Sequence, residues 1–293
     1  MFDDFKSAFN RYNNAHVQLI IVNVVIYLFL VVLFLISGIP GTEFVFEFIY
    51  KQFTIPSGLS EFITRPWTLI TYMFAHSMTQ ILHILMNMLV LYWFGRLFVE
   101  YLGSDKLIAL YLLGGLTGGV SYLLIYNLSP SFLGNAEMVG ASGAIFAVVV
   151  GTAVLLPNYT FFLLLLGPVK IKYIAMFFVF SSLLYMRIGH NLGGNIAHLG
   201  GALMGFIYIK QLQAGVNWGG WITVTLDWFK DLFKEKPKVK VTYRSEEPKK
   251  NSSKKAAKAS QEEIDAILDK ISDHGYESLT KDEKEKLFNA SKK

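Results

Sequence analysis

Three short stretches carry residue types that could do chemistry together. Gly140-Ala141-Ser142-Gly143-Ala144 places a serine between glycines at the head of an apolar run, and Ala197-His198-Leu199-Gly200-Gly201 places a histidine in another. His83 and Asn87, four residues apart and so on one helical face, lie in a third. A serine hydroxyl becomes a competent nucleophile when an imidazole within hydrogen-bond reach takes its proton. Fixed donors such as His83 and Asn87 can stabilise the oxyanion that develops in acyl transfer, at about 3 kcal/mol per donor. The combination reads as nucleophile, general base and oxyanion hole, provided the chain brings residues 83, 142 and 198 to one place.

Taken singly, each stretch has a plainer use. A serine among glycines in an apolar helix can back-bond to a carbonyl one turn earlier while its neighbours allow close packing. The stretch also lacks the second glycine of the GxSxG elbow, because Ala144 stands there. His198 shifts the balance, since an ionisable group inside a membrane span is costly and is retained for a purpose. Ala197, Gly201 and Gly205 line one face at spacing four, and Gly143, Ala147 and Gly151 form a matching face on the serine's helix. Two small-residue faces let backbones approach closely enough for a short serine side chain to reach an imidazole. Phe146, four residues after Ser142, shares its face and could pack on the His198 ring or simply fill core.

Composition limits the alternatives. The chain has no cysteine, and its six histidines show no HExxH spacing, so thiolate chemistry is excluded and a zinc-protease motif is lacking. No metal or cofactor is implied. Hydrophobic residues make up 53% of 293, which is high for a soluble protein even though charged residues still make up 17%. Of 27 Lys and Arg, 17 lie from Lys230 onward, so the net charge of +5 belongs to a tail and not to the body. Such a tail fits anionic lipid headgroups and the positive-inside rule better than nucleic acid.

The elements that must position these residues follow from lengths of about 20 apolar residues per membrane span. Six spans are expected: His16 to Ser37, Thr79 to Tyr101, Lys106 to Leu128, Ser142 to Pro157, Lys170 to Tyr185 and Asn195 to Leu212. Gly38 to Pro66, aromatic-rich yet carrying Glu43, Glu47, Lys51 and Glu61, reads as an interfacial element. Tyr159 to Gly167 reads as a turn or partial re-entry. Arg96 and Glu100, at spacing four, are expected to pair. The domain plan is a segment 1–15, a six-helix membrane domain 16–212, a basic disordered linker 213–260 and a short helical segment 261–293. Lys and Arg accumulate on one side if both termini are cytoplasmic, which sets Ser142 and His198 toward the outer face.

With these residues in place, the chain resembles the rhomboid intramembrane serine proteases over about His16 to Leu212. The resemblance rests on three motifs that follow one another along the chain: HxxxN at His83 to Asn87, GxSG at Gly140 to Gly143, and AHxxGxxxG at Ala197 to Gly205. It implies an all-α polytopic membrane protein, a six-helix bundle with a membrane-embedded first loop and a cytoplasmic helical tail. It further implies Ser142 as nucleophile and His198 as base without a carboxylate partner. The oxyanion hole would come from the Ser142 N–H, His83 and Asn87, and Phe146 would stack on His198. Gly140, Gly143, Gly201 and Gly205 would support this site. Where many members have Trp followed by Arg, this chain has Arg65-Pro66-Trp67.

The implied activity is endoproteolysis of single-pass transmembrane proteins near the outer membrane face, through an acyl-enzyme. The implied location is a bacterial inner membrane, with lipids and substrate helices as partners and no nucleic acid. The rival class is an inactive rhomboid-like protein that binds transmembrane helices, against which the intact Ser142 and His198 argue. A transporter would need intramembrane charges or an internal repeat. Nothing in the sequence sets the oligomeric state.

Overall fold

The computed structural model describes residues 12–129, 136–163, 166–189, 191–232 and 261–291. The chain divides into one unit up to Lys234 and a second from Glu235. The first is a helical membrane bundle. Its long helices are α1 (Ala15–Ile36), α5 (Ile81–Leu102) and α6 (Ser104–Leu128), preceded in the loop between the first two by α2 (Glu43–Tyr50), α3 (Leu59–Thr64) and the helical turn α4 (Thr68–Thr71). After them come α7 (Ser142–Leu155), α8 (Ile171–Arg187), α9 (Leu192–Gln213) and α10 (Gly220–Leu232). Four of these, α1, α5, α6 and α9, are long and apolar enough to cross a membrane. Helix α7 has 14 residues, about 21 Å at 1.5 Å per residue, less than the ~30 Å hydrocarbon core. Nearly every side chain from Gly143 to Ala153 is buried among neighbours, so α7 forms the centre of the bundle and starts well inside it.

Polar groups within this apolar body are tied to one another. Asn23, buried in the interior of α1, donates to the Leu19 carbonyl (2.8 Å) and to the Tyr111 hydroxyl on α6 (3.2 Å). Tyr111 in turn donates to the Met73 carbonyl, and Tyr72 donates to the Gly115 carbonyl, both at 2.7 Å. Each such bond contributes about 0.6 kcal/mol inside a membrane protein. Together they fix the 3₁₀ turn Tyr72–Phe74 against α6.

The first loop is helical at α2 and α3 and exposes Phe44, Phe48, Leu59 and Ile63, as an element lying in an interface would. It is pinned by β1 (Ile55–Pro56), antiparallel to β2 (Glu137–Met138), with Ile55 opposite Met138. Ser57 reinforces the pairing, its N–H donating to the Ala136 carbonyl (2.8 Å) while its Oγ accepts from the Ala136 N–H (3.0 Å). Arg65 is buried, bonded to Glu61 at 2.5 Å and to the Lys51 carbonyl, and lies 3.9 Å from Glu137.

Four expectations change. In place of a turn or partial re-entry, β3 (Thr160–Leu163) and β4 (Gly167–Lys170) pair antiparallel, with Gly167 at φ +68°, a conformation that glycine adopts without strain. Helix α9 starts three residues before Asn195, since Asn191 caps it by accepting from the Gly194 N–H. The stretch expected to be linker from 213 carries α10, whose Ile222 enters the core while Trp221, Val224 and Trp228 face outward, an amphipathic pattern concealed by the basic residues that follow. The rest of that linker, 233–260, lies outside the described residues, as do residues 1–11 of the N-terminal segment. Arg96 and Glu100 are both exposed and not within ion-pair distance; two separately solvated side chains gain little by pairing.

The second unit contains α11 (Gln261–His274) and α12 (Lys281–Ala290), joined by a 3₁₀ turn at Tyr276–Ser278. Gly275, at φ +78°, ends the first helix, and a Thr280–Glu283 capping box starts the second. Among the described residues of this unit, Ile267 and Leu279 are the buried apolar ones, and Lys270 lies 2.9 Å from Glu283.

Candidate active site

The serine-bearing stretch is shaped before it reaches helix α7. Gly140 has φ +139°, a conformation that side chains rarely adopt, and its N–H donates to the Tyr72 carbonyl at 3.0 Å. That bond anchors the approach to α7 on the turn already fixed by Tyr72 and Tyr111. Ser142 is the first residue of α7, and its Oγ lies 2.7 Å from His198 Nε2. Residues 56 apart in sequence thus share a hydrogen bond because α7 and α9 pack without side chains between them. A β-carbon at Gly201 would collide with the Gly143 carbonyl, and one at Gly205 with the Ala147 carbonyl. The two small-residue faces therefore meet, as their spacing predicts.

His198 sits in the second turn of α9, held on two further sides. The Phe146 ring stacks on it with centroids 4.1 Å apart and planes 9° from parallel. Phe146 is itself backed edge-on by Phe178 of α8 at 5.6 Å. The other ring nitrogen, Nδ1, is 3.0 Å from Ser182 Oγ, also on α8. Ser182 was not among the residues that the sequence singled out. Its signal is faint: Ser181 and Ser182 form a polar pair in a run otherwise apolar after Lys172.

Helix α5 brings His83 to the same region and buries Asn87 one turn further along. His83 and Ser142 line one cavity of about 470 Å³, together with Tyr72, Gln80, Gly140 and Gly194. The Asn87 side chain is buried, and its amide nitrogen makes no hydrogen bond within the protein. A buried donor left unpaired costs about 1–3 kcal/mol. His76, to which the sequence gives no function, is fully buried with its ring edge-on to His83 at 6.1 Å.

The fold and the site describe a helical membrane bundle with a serine and a histidine joined inside it. A model of the Rhomboid domain matches residues 64–213, about half of the chain, and the chain belongs to the rhomboid family. Residues 248–293 match a second family, of unknown function. Among similar proteins, RHOMBOID-like protein 12, mitochondrial, from Arabidopsis thaliana is 33% identical over 162 residues, covering 52% of this chain and 48% of its own. Presenilin-associated rhomboid-like protein A, mitochondrial, from Danio rerio is 30% identical over 166 residues, 56% of this chain and 41% of its own. The chain thus spans about half the length of these curated relatives or less.

Proposed function

We propose that this protein is an intramembrane serine endopeptidase that cleaves single-pass transmembrane proteins near the outer face of the membrane. The observation that carries this reading is the 2.7 Å contact between Ser142 Oγ and His198 Nε2 at the half-buried head of α7. The dyad acts as follows. His198 Nε2 takes the Ser142 proton as Oγ attacks the scissile carbonyl, and the tetrahedral oxyanion is held by the Ser142 N–H, His83 and Asn87. The imidazolium then gives its proton to the leaving amine, and water hydrolyses the acyl-enzyme by the same base catalysis in reverse. Phe146 holds the imidazole plane throughout.

The cavity that contains Ser142 and His83 supplies the water for the second half-reaction. Substrate helices must present a peptide bond freed from its own helical hydrogen bonds, so small or helix-breaking residues near the cleavage point are favoured. Both termini lie on the side rich in Lys and Arg, the cytoplasmic face of a bacterial inner membrane. The test is a fluorophosphonate probe on detergent-solubilised protein. Wild type labels and Ser142→Ala does not; labelling that survives the substitution overturns the nucleophile assignment. A protein that only binds transmembrane helices would retain substrate in pull-down yet never label.

A further inference from the structure

We infer that Ser182 is a positioning residue for His198, holding the imidazole in the tautomer that can accept the Ser142 proton; this rests on the dyad proposed above. A neutral imidazole has one donor and one acceptor nitrogen, and which is which depends on the partner each nitrogen meets. For Ser142 to lose its proton to Nε2, that nitrogen must bear the lone pair, so the hydrogen must sit on Nδ1. The hydroxyl 3.0 Å from Nδ1 is that of Ser182, whose oxygen can accept this hydrogen. It continues to accept the Nδ1 hydrogen when proton transfer makes the ring an imidazolium.

The setting of Ser182 on α8 supports a directed role. That helix turns Tyr173, Met176, Phe177 and Phe180 outward, and its only buried residues are Ile171, Ala175 and Ser182. A hydroxyl is thus one of three side chains that α8 commits to the interior, and it is spent on the histidine. Phe178, one turn earlier on the same face, backs the Phe146 ring that stacks on His198. A single face of α8 therefore sets the histidine in two ways, through its edge by Ser182 and through its stacking partner by Phe178. Such second-layer contacts to a functional histidine fix both ring orientation and tautomer.

The test uses full-length protein in detergent, with two independent readouts. In the first, fluorophosphonate labelling rates are compared for wild type, Ser182→Ala and Ser182→Thr. The alanine variant should label about tenfold more slowly, the loss of one hydrogen bond to a group that becomes charged, and threonine, which keeps the hydroxyl, should recover most of the rate. An alanine variant at the wild-type rate, or one whose loss threonine does not restore, overturns the inference. In the second, ¹⁵N-histidine spectra are recorded in a Ser142→Ala background, where activity is not needed. His198 should show a protonated Nδ1 and an unprotonated Nε2, and adding Ser182→Ala should collapse this to a tautomer mixture. Unchanged ring nitrogens in the double variant overturn the inference. Should the wild type fail to label at all, the hydrolase reading falls while the nitrogen spectra still decide the Ser182 contact.

Discussion

Substituting Gly201 by alanine tests whether the close approach of α7 and α9 is what makes the site. The added methyl would collide with the backbone carbonyl of Gly143, the residue after Ser142, and backbone cannot swing aside as a flexible side chain can. The two helices must separate by on the order of 1 Å, and a displacement of that size at reacting groups lowers rates about 100-fold. The Ser142–His198 contact of 2.7 Å would then lengthen beyond hydrogen-bond range. Overpacking of this kind also costs about 1–3 kcal/mol of stability. Fluorophosphonate labelling rate and thermal midpoint in detergent are measured together, with Gly58→Ala as control, because a methyl there meets nothing closer than Ser60 Oγ at 4.0 Å. The control should behave as wild type, while Gly201→Ala should lose both rate and midpoint. A Gly201→Ala protein that labels at the wild-type rate would refute the claim that this contact sets the dyad distance.

Three further outcomes are expected. Asn87→Ala should lower kcat for a model transmembrane substrate by about 100-fold with little change in KM, since an oxyanion donor acts only in the transition state; a change confined to KM would assign Asn87 to substrate binding. Phe146→Leu should cost about tenfold in labelling through loss of the stacked ring, whereas Phe146→Tyr, which keeps it, should remain near wild type. In the C-terminal unit, the Thr280 backbone N–H, with Lys270 and the Thr280 hydroxyl, holds the Glu283 carboxyl down to about 2. A depressed carboxylate stabilises the fold above its ordinary titration range and loses that contribution as pH falls through the depressed value. Hydrogen-exchange protection of residues 281–290 should therefore fall between about pH 4.5 and pH 2, and Glu283→Gln should remove that dependence.

Much of this protein is local, and what is local is legible in its sequence. Apolar run lengths located four helices long enough to span, α1, α5, α6 and α9, because the hydrocarbon core demands about 20 apolar residues whatever surrounds them. The spacing of Gly143, Ala147 and Gly151 against Ala197, Gly201 and Gly205 announced two faces that could meet, since a stripe of small residues has few other uses in an apolar helix. His198 and the His83–Asn87 pair stood out because polar groups in such runs are costly. The Phe146–His198 stack followed from resemblance and helical spacing, and the structure brings those rings to 4.1 Å.

Only the tertiary structure could decide contacts whose partners are unmarked. Ser182 is an ordinary membrane-helix serine until α8 turns it toward His198 Nδ1, because a serine's sequence neighbours do not say which face of its helix is buried. The β1–β2 pairing involves two residues on each side, too short for any periodicity to register. Helix α10 was obscured by the basic sequence beyond it, and its place depended on Ile222 finding the core. The stretch Gly140 to Ala144 showed that a serine was available; the turn at Tyr72, the meeting of α7 with α9 and the inward face of α8 decided what it touches. Composition and period are properties of a segment, whereas a hydrogen bond between residues 142, 182 and 198 is a property of three helices packed together.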